Sequence, residues 1–335
     1  MEQKTKVILD CDTGSDDAVA IMLAILSDKI DLLGICTVAG NKEINFTTDN
    51  TLRVIDLLGA KIPVYRGCHT SMVTKLYPGR RGNYTGMTGV SDQNVDANGE
   101  VIQYHTDCLP IPEPTSKERS EHAVFWLIDT LMKSNGDIAV VPTGPLTNLA
   151  MAIRIEPRIC GKIKEIVFMG GGFKTFNSTS AAEFNIWADP EAAQIVLTSG
   201  VKKVTMVPLD ATHSANFTRA DADELRAWGG KICPVVADLI EERVEAYNRY
   251  QPQQLPDSAP LHDALALGYI IDTAVLRDVR FMRVDVDCGG GFADGQTICD
   301  TRAYPDRERN CNVALDSDRA RFVALSKELL HSFKG

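Results

Sequence analysis

Apolar positions along the chain alternate between two periods. Residues 6–12, 32–38, 63–66, 138–142, 166–169 and 204–209 are short apolar runs, the pattern of buried strands. Between them, residues 16–27, 46–58, 121–133, 146–155 and 191–199 place apolar side chains three and four apart, the pattern of helices with a buried face. Further helices are predicted over 219–228, over 233–247, from about 263, and over 319–333, whereas 275–316 gives no clear period. Strands alternating with helices predict βαβ units. The expected fold is a single α/β domain over 1–335, with an open, mostly parallel, Rossmann-like sheet flanked by helices. Residues 68–117, rich in Gly, Pro, Asp and Asn, are expected to form an irregular insertion or lid.

Composition narrows the partners. Of 335 residues, 44% are hydrophobic and 24% charged, enough apolar surface to pack a core. The formal net charge is −10, from 35 basic and 45 acidic residues. Nucleic acid needs a basic face, so no nucleic-acid partner is expected, while an uncharged small ligand remains open. The start, M-E-Q-K-T-K-V-I-L-D, lacks the apolar core of a secretory signal, and the longest apolar run, 18–26, is too short to span a bilayer. No membrane partner and a cytoplasmic location are therefore expected. Nine scattered cysteines without a C-x-x-C pair read as buried thiols, not as disulfides or a zinc site. The sequons at Asn45, Asn83, Asn177 and Asn216 would carry no sugar in that compartment.

The densest chemistry is D-C-D-T-G-S-D-D at 10–17. The strand period of two puts Asp10 and Asp12 on one side and Val7, Leu9 and Cys11 on the other. Gly14 allows a tight turn, and Ser15–Asp17 can cap the next helix. Four carboxylates converging at the carboxyl end of a first strand repel one another unless a cation neutralises them. An all-oxygen set suits Ca²⁺ or Mg²⁺. Other polar residues follow strands: Asn41, Thr143, Met169 within F-M-G-G-G, and Asn177, Glu183 and Asn185 within N-S-T-S-A-A-E-F-N. The amides and the acid can read sugar hydroxyls, although each alone also reads as a turn or cap. In P-L-H-D, His262 and Asp263 open a helix, and Asp263 can join the acids. Tyr247 and Tyr250 can stack on a base or simply cover apolar surface. Asp257, or an acid within 92–99, can accept a hydrogen bond from a base.

These motifs, D-C-D-T-G-S-D-D-A-V-A, V-P-T-G-P-L-T-N-L-A, F-M-G-G-G, A-E-F-N and P-L-H-D, resemble those of the inosine–uridine-preferring nucleoside hydrolases, in order and spacing from residue 6 to about 270. The resemblance implies a ribonucleoside N-ribohydrolase of nucleoside salvage that binds Ca²⁺ and uses no organic cofactor. It implies Asp12, Asp17 and Asp263 as carboxylate ligands and Thr143 as a backbone-carbonyl ligand. Asp12 would be the general base. Asp16, Asn185 and Asp263 would hold the ribose hydroxyls, Asn177 and Glu183 the 5′-hydroxyl, and Met169 would pack on the sugar. Asn41 would steady the water or the ribose. His262 would be the second catalytic residue, near the leaving base and able to protonate it as it leaves, as in the branch acting on pyrimidine nucleosides or on both base classes. A homodimer or homotetramer is implied. The family's H-G-x-x-G-L segment is matched by G-N-Y-T-G-M at 82–87, with Asn83 where the His is expected.

Two rival readings are a Mg²⁺-dependent haloacid dehalogenase-type phosphatase and a non-catalytic nucleoside-binding protein. The first also uses D-x-D after a first strand but wants Thr or Val four residues after the first Asp, where this chain has Gly14. The second would have lost the base or a metal ligand, and the chain keeps these.

Overall fold

The computed structural model describes residues 4–73, 76–77 and 105–334. The first half runs β1 (Thr5–Cys11), α1 (Ser15–Leu26), β2 (Ile30–Thr37), α2 (Ile44–Leu58), β3 (Val64–Arg66), α3 (Ala123–Lys133), β4 (Ile138–Pro142), α4 (Thr147–Ile155) and β5 (Ile163–Met169). There follow α5 (Phe184–Ala188), α6 (Pro190–Leu197), β6 (Val204–Val207), α7 (Leu209–Thr212), β7 (Phe217–Thr218), α8 (Arg219–Trp228) and α9 (Cys233–Tyr250). The chain closes with β8 (Ser258–Ala259), α10 (His262–Ile271), β9 (Leu276–Val286), β10 (Thr297–Asp300), β11 (Cys311–Ser317) and α11 (Arg319–Ser332).

Nine strands form one sheet in the order β10-β9-β11-β6-β5-β4-β1-β2-β3. From β11 to β3 every pairing is parallel, and β9 and β10 add antiparallel pairings at one end. This is the α/β architecture expected from the alternating pattern. Helices cover both faces. One apolar layer joins α1, α2, α9, α10 and α11 to Val7, Leu9 and Cys11 of β1, and the other joins α3, α4 and α6 to Ile8. Helix α1 explains the apolar run at 18–26, because residues 15–24 are buried on every side. Among the described residues of 68–117, no β-strand or α-helix forms. Asn83 and the acids of 92–99 lie outside the described residues.

The chain winds outward from β1 through β2 to β3, then returns to place β4 on the other side of β1. That reversal leaves a crevice at the carboxyl ends of β1 and β4, where open α/β sheets bind ligands. Two expectations need correction here. The first strand ends at Cys11, so Asp12 lies in the turn and outside the strand's alternation. Asp10, still within it, turns toward the α4 face, where Asn148 Nδ2 donates to its Oδ1 at 2.8 Å. The 204–209 strand stops at Val207, because Pro208 cannot continue the ladder and opens α7.

Candidate active site

The turn after β1 gathers the acids. The Asn41 backbone N–H donates to Asp12 Oδ2 at 2.6 Å, and the Asn41 amide reaches the Asp12 carbonyl at 3.3 Å and Asp17 Oδ2 at 3.4 Å. Two glycines close on the same carboxylate. A Cβ on Gly40 would fall 2.1 Å from Asp12 Oδ2, and one on Gly144 2.7 Å from Oδ1, so neither position admits a side chain. The start of α1 is not capped by Ser15 or Asp16. Gly14 holds the cap position, and its N–H donates to Asp17 Oδ2 at 2.9 Å, an anion at a helix N-terminus. The Thr143 hydroxyl, just past β4, donates to Asp17 Oδ1 at 2.8 Å. Asp263, in the first turn of α10, completes the group: Asp16, Asp17 and Asp263 are buried and offer carboxylate oxygens within 4.8 Å of one another.

Burial without compensation shapes the proton affinities. Burial first, then the Asp17 charge, raises Asp12 well above the carboxylate range. Burial and then Asp16 do the same for Asp263 and lift Asp17 to about 6. Among the described residues, buried Asp12 Oδ1 has no hydrogen-bond partner. Asp10 stands apart. Burial raises it to about 7, with no contribution from the other acids. Its expected place among converging carboxylates is therefore lost, because the strand's alternation turns it under α4. The remaining arrangement, all oxygen, mutually repelling and including an orphaned carboxylate oxygen, fits a hard divalent cation.

Neutral groups line the next strand end. Asn185, on the short helix α5, donates its amide to the Thr143 carbonyl at 2.8 Å and to the Met169 carbonyl at 3.2 Å. Glu183 caps that helix: its carboxylate accepts from the N–H groups of Asn185 at 2.9 Å, Gly171 at 2.8 Å and Ile186 at 3.3 Å. Burial nevertheless pushes Glu183 up to about 7. Met169 is the last residue of β5 and is buried. Asn177 is exposed, and its Oδ1 accepts from the Phe184 N–H at 2.9 Å at the start of α5.

On the other side, α9 packs against the start of α10. His262 is buried between two hydroxyls, with Tyr247 Oη 2.6 Å from Nε2 and Thr212 Oγ1 2.7 Å from Nδ1. Burial and then the Arg243 charge hold its pKa well below the usual value, so the ring is neutral. Tyr247 thus belongs to the site, whereas Asp257 is exposed and takes the Asn248 amide at 2.9 Å. Arg243 was not anticipated from sequence. It is only 3% exposed, and its guanidinium donates to Asp16 Oδ1 at 3.0 Å, Ser15 Oγ at 3.1 Å and the Pro260 carbonyl at 2.9 Å. Within α9 it precedes Tyr247 by one helical turn, which is the only sequence cue linking the two.

A buried acidic cluster at the carboxyl ends of a parallel sheet, flanked by amides and a neutral His–Tyr pair, is suited to a hard cation and a small polar ligand. Residues 7–324 match the profile of the inosine-uridine preferring nucleoside hydrolases, and the chain belongs to that family, whose chemistry is hydrolysis of the nucleoside N-glycosidic bond. It is 37% identical over 332 residues to the pyrimidine-specific ribonucleoside hydrolase RihB of Escherichia coli strain SE11, covering 99% of this chain and 98% of that one. Its fold is similar to that of the plant nucleoside hydrolase PpNRh1, with a TM-score of 0.82 and 28% identity over 98% of this chain and 99% of that one. A purine-preferring ribonucleoside hydrolase from Gardnerella vaginalis gives a TM-score of 0.82 and 30% identity, covering 98% of each chain. The phosphatase and the non-catalytic binding protein find no support in these likenesses.

Proposed function

We propose that the acidic cage hydrolyses ribonucleosides by a single displacement at C1′, with Asp12 as general base and Ca²⁺ as the resident cation. The observation that carries this reading is the convergence of Asp16, Asp17 and Asp263 at the strand ends beside Asp12. Asp12, Asp17, Asp263 and the Thr143 carbonyl would hold the ion. When bound, Ca²⁺ supplies the charge that offsets these acids and orients a water and the ribose 2′- and 3′-hydroxyls.

The chain's own residues do the rest. Cleavage builds positive charge on C1′ and O4′, and the buried acids stabilise it electrostatically. Asp12, its Oδ2 fixed by the Asn41 N–H, takes the water proton through Oδ1. Asp16, Asn185 and Asp263 grip the ribose hydroxyls. Asn177 and Glu183 receive the 5′-hydroxyl, and Met169 packs on the sugar. A 5′-phosphate would meet Glu183, so nucleotides are poor substrates. His262 and the Tyr247 hydroxyl stand at the leaving base and hydrogen-bond it as negative charge develops. Water attacks opposite the base, so the first sugar product is the inverted α-ribose.

His262 suits substrates with a pyrimidine base or either base class, and the likeness to a pyrimidine-specific relative supports pyrimidine ribonucleosides among them. The nine free cysteines suit a reducing compartment, in keeping with a cytoplasmic salvage enzyme, and the family resemblance is the ground for a homodimer or homotetramer. The test is a turnover panel of inosine, guanosine, adenosine, uridine, cytidine and a nitrophenyl riboside, read by chromatography. Free base plus ribose supports the reading; intact ribonucleosides throughout, with folded Ca²⁺-loaded protein, overturn it.

A further inference from the structure

The antiparallel strands β9 and β10 take no part in the chemistry, yet the hairpin they form reaches the loop that follows β5. Thr297, the first residue of β10, is buried. Its hydroxyl donates to the Gly172 carbonyl at 2.6 Å and accepts from the Gly172 N–H at 3.0 Å. One side chain thereby satisfies both backbone groups of the third glycine in F-M-G-G-G. The methyl group packs as closely. A Cβ on Gly171 would fall 2.9 Å from Thr297 Cγ2 and 2.8 Å from Met206 Sδ. Gly171 also sits at φ +77°, a left-handed conformation that glycine adopts without strain.

The hairpin touches α5 as well. Gly295, just before β10, lies against that helix: a Cβ there would fall 2.7 Å from Trp187 Cα and 3.1 Å from its Cβ. Glu183 stands between these two contacts. Its Oε2 accepts from the Gly171 N–H at 2.8 Å and the Ile186 N–H at 3.3 Å, and its Oε1 from the Asn185 N–H at 2.9 Å. All three donors belong to backbone that the hairpin braces, the glycine turn through Thr297 and α5 through Gly295. Helix α7 holds the other side of the loop. The Leu209 N–H donates to the Gly171 carbonyl at 3.0 Å, and the Asp210 carboxylate accepts from the N–H groups of Phe173 at 2.6 Å and Lys174 at 3.0 Å. Buried backbone groups are costly to leave unpaired, so these bonds hold the loop in one position.

We propose that the β9–β10 hairpin positions the 5′-hydroxyl subsite, with Thr297 as the positioning residue. By fixing Gly172 it sets the direction of the Gly171 N–H, and through it the angle at which the Glu183 carboxylate meets the 5′-hydroxyl. This rests on the ribohydrolase reading above and on Glu183 as the acceptor of that hydroxyl. Thr297 acts through Gly171 and Glu183 and does not itself touch the sugar. Hydrogen bonds weaken steeply away from their preferred angle, so a small shift of the loop is enough to lose the contact.

The test measures kcat/KM for uridine and 5′-deoxyuridine with Ca²⁺-loaded wild type, Thr297→Val, Thr297→Ser and Gly295→Ala. The ratio of the two substrates on one sample does not depend on how much of it is folded, so lost stability alone leaves the ratio unchanged. Wild type is expected to prefer uridine. Thr297→Val keeps the shape and removes the hydroxyl. It is expected to lose roughly 10-fold or more on uridine and less than about 3-fold on 5′-deoxyuridine, so the preference shrinks. Thr297→Ser, which keeps the hydroxyl, restores most of the preference. Gly295→Ala, whose methyl pushes on Trp187, lowers the preference in the same direction and decides the matter if the valine variant does not fold. A preference unchanged in Thr297→Val, or not restored by serine, overturns the proposal. A wild type that cleaves both substrates equally contradicts Glu183 as the 5′-hydroxyl acceptor, and one that cleaves no ribonucleoside contradicts the ribohydrolase reading, so the three failures are told apart.

Discussion

Arg243→Met tests the electrostatics of the cage most sharply. Methionine keeps much of the apolar stem and removes a guanidinium that is 3% exposed and 3.0 Å from Asp16. The hydrogen bonds to Ser15 and Pro260 go with it. Asp16 is left buried beside Asp17 and Asp263 without a counter-charge. Removing one partner of a buried ion pair typically costs about 3–5 kcal/mol. Arg243→Lys retains the charge but not the planar fork, and is expected to lose about 1–2 kcal/mol. Urea unfolding of the metal-stripped proteins, followed by tryptophan fluorescence, reads these losses as shifts in midpoint at constant slope. Adding Ca²⁺ supplies the missing positive charge, so the Ca²⁺-induced gain is larger in Arg243→Met than in wild type. A metal-stripped Arg243→Met within about 0.5 kcal/mol of wild type, or equal Ca²⁺ gains in both, would refute the assignment of Arg243 as the cage's counter-charge.

Asp12→Ala is expected to reduce kcat on uridine by at least about 10³-fold while folding is retained; near-normal turnover removes Asp12 as the base. His262→Ala should slow nucleosides with poor leaving groups and spare the nitrophenyl riboside, and Tyr247→Phe should follow in the same direction with a smaller effect; equal losses on both substrates assign the pair to structure. 2′-Deoxynucleosides lack one of the hydroxyls gripped by the acids and should react at least about 100-fold more slowly, and comparable rates would contradict the ribose clamp. Asp10 has a folded pKa of about 7, above its ordinary 3.8, so the native state binds its proton more tightly. Its stabilising contribution is complete below about pH 4 and is lost as pH rises through 7. Asp10→Asn, whose amide oxygen can still accept from Asn148, should therefore be about 1–3 kcal/mol more stable than wild type at pH 8, the advantage fading toward pH 5 in paired urea titrations. An advantage independent of pH would show that Asp10 does not titrate in this range.

What the sequence revealed was local. The acids of 12–17, Asn41 and Thr143 could be placed because each follows a short apolar strand, and strand ends of a parallel sheet converge. Alternation put Asp10 opposite Val7, Leu9 and Cys11, where it meets α4, but it failed for Asp12, because the period was carried one residue past the strand's end at Cys11. Arg243 escaped for a different reason. The contact between Arg243 and Asp16 spans 227 residues, and an arginine on an exposed-looking helix gives no local sign of burial. Strand β9 went unread because much of its length is charged and exposed near the edge of the sheet, so it carries no apolar run. The expectation of α/β architecture survived these gaps because it rested on six strand–helix alternations, not on any one boundary.

The most direct test of the account is a Ca²⁺ titration of metal-stripped protein, with ribose release from uridine and calorimetric binding measured on the same sample. The account predicts negligible release without the ion, and an activity curve that follows the filling of one site per chain. Full turnover by the stripped protein, or activity that ignores the binding curve, would contradict the claim that the cage of Asp12, Asp17, Thr143 and Asp263 works as a Ca²⁺ site for glycosidic hydrolysis.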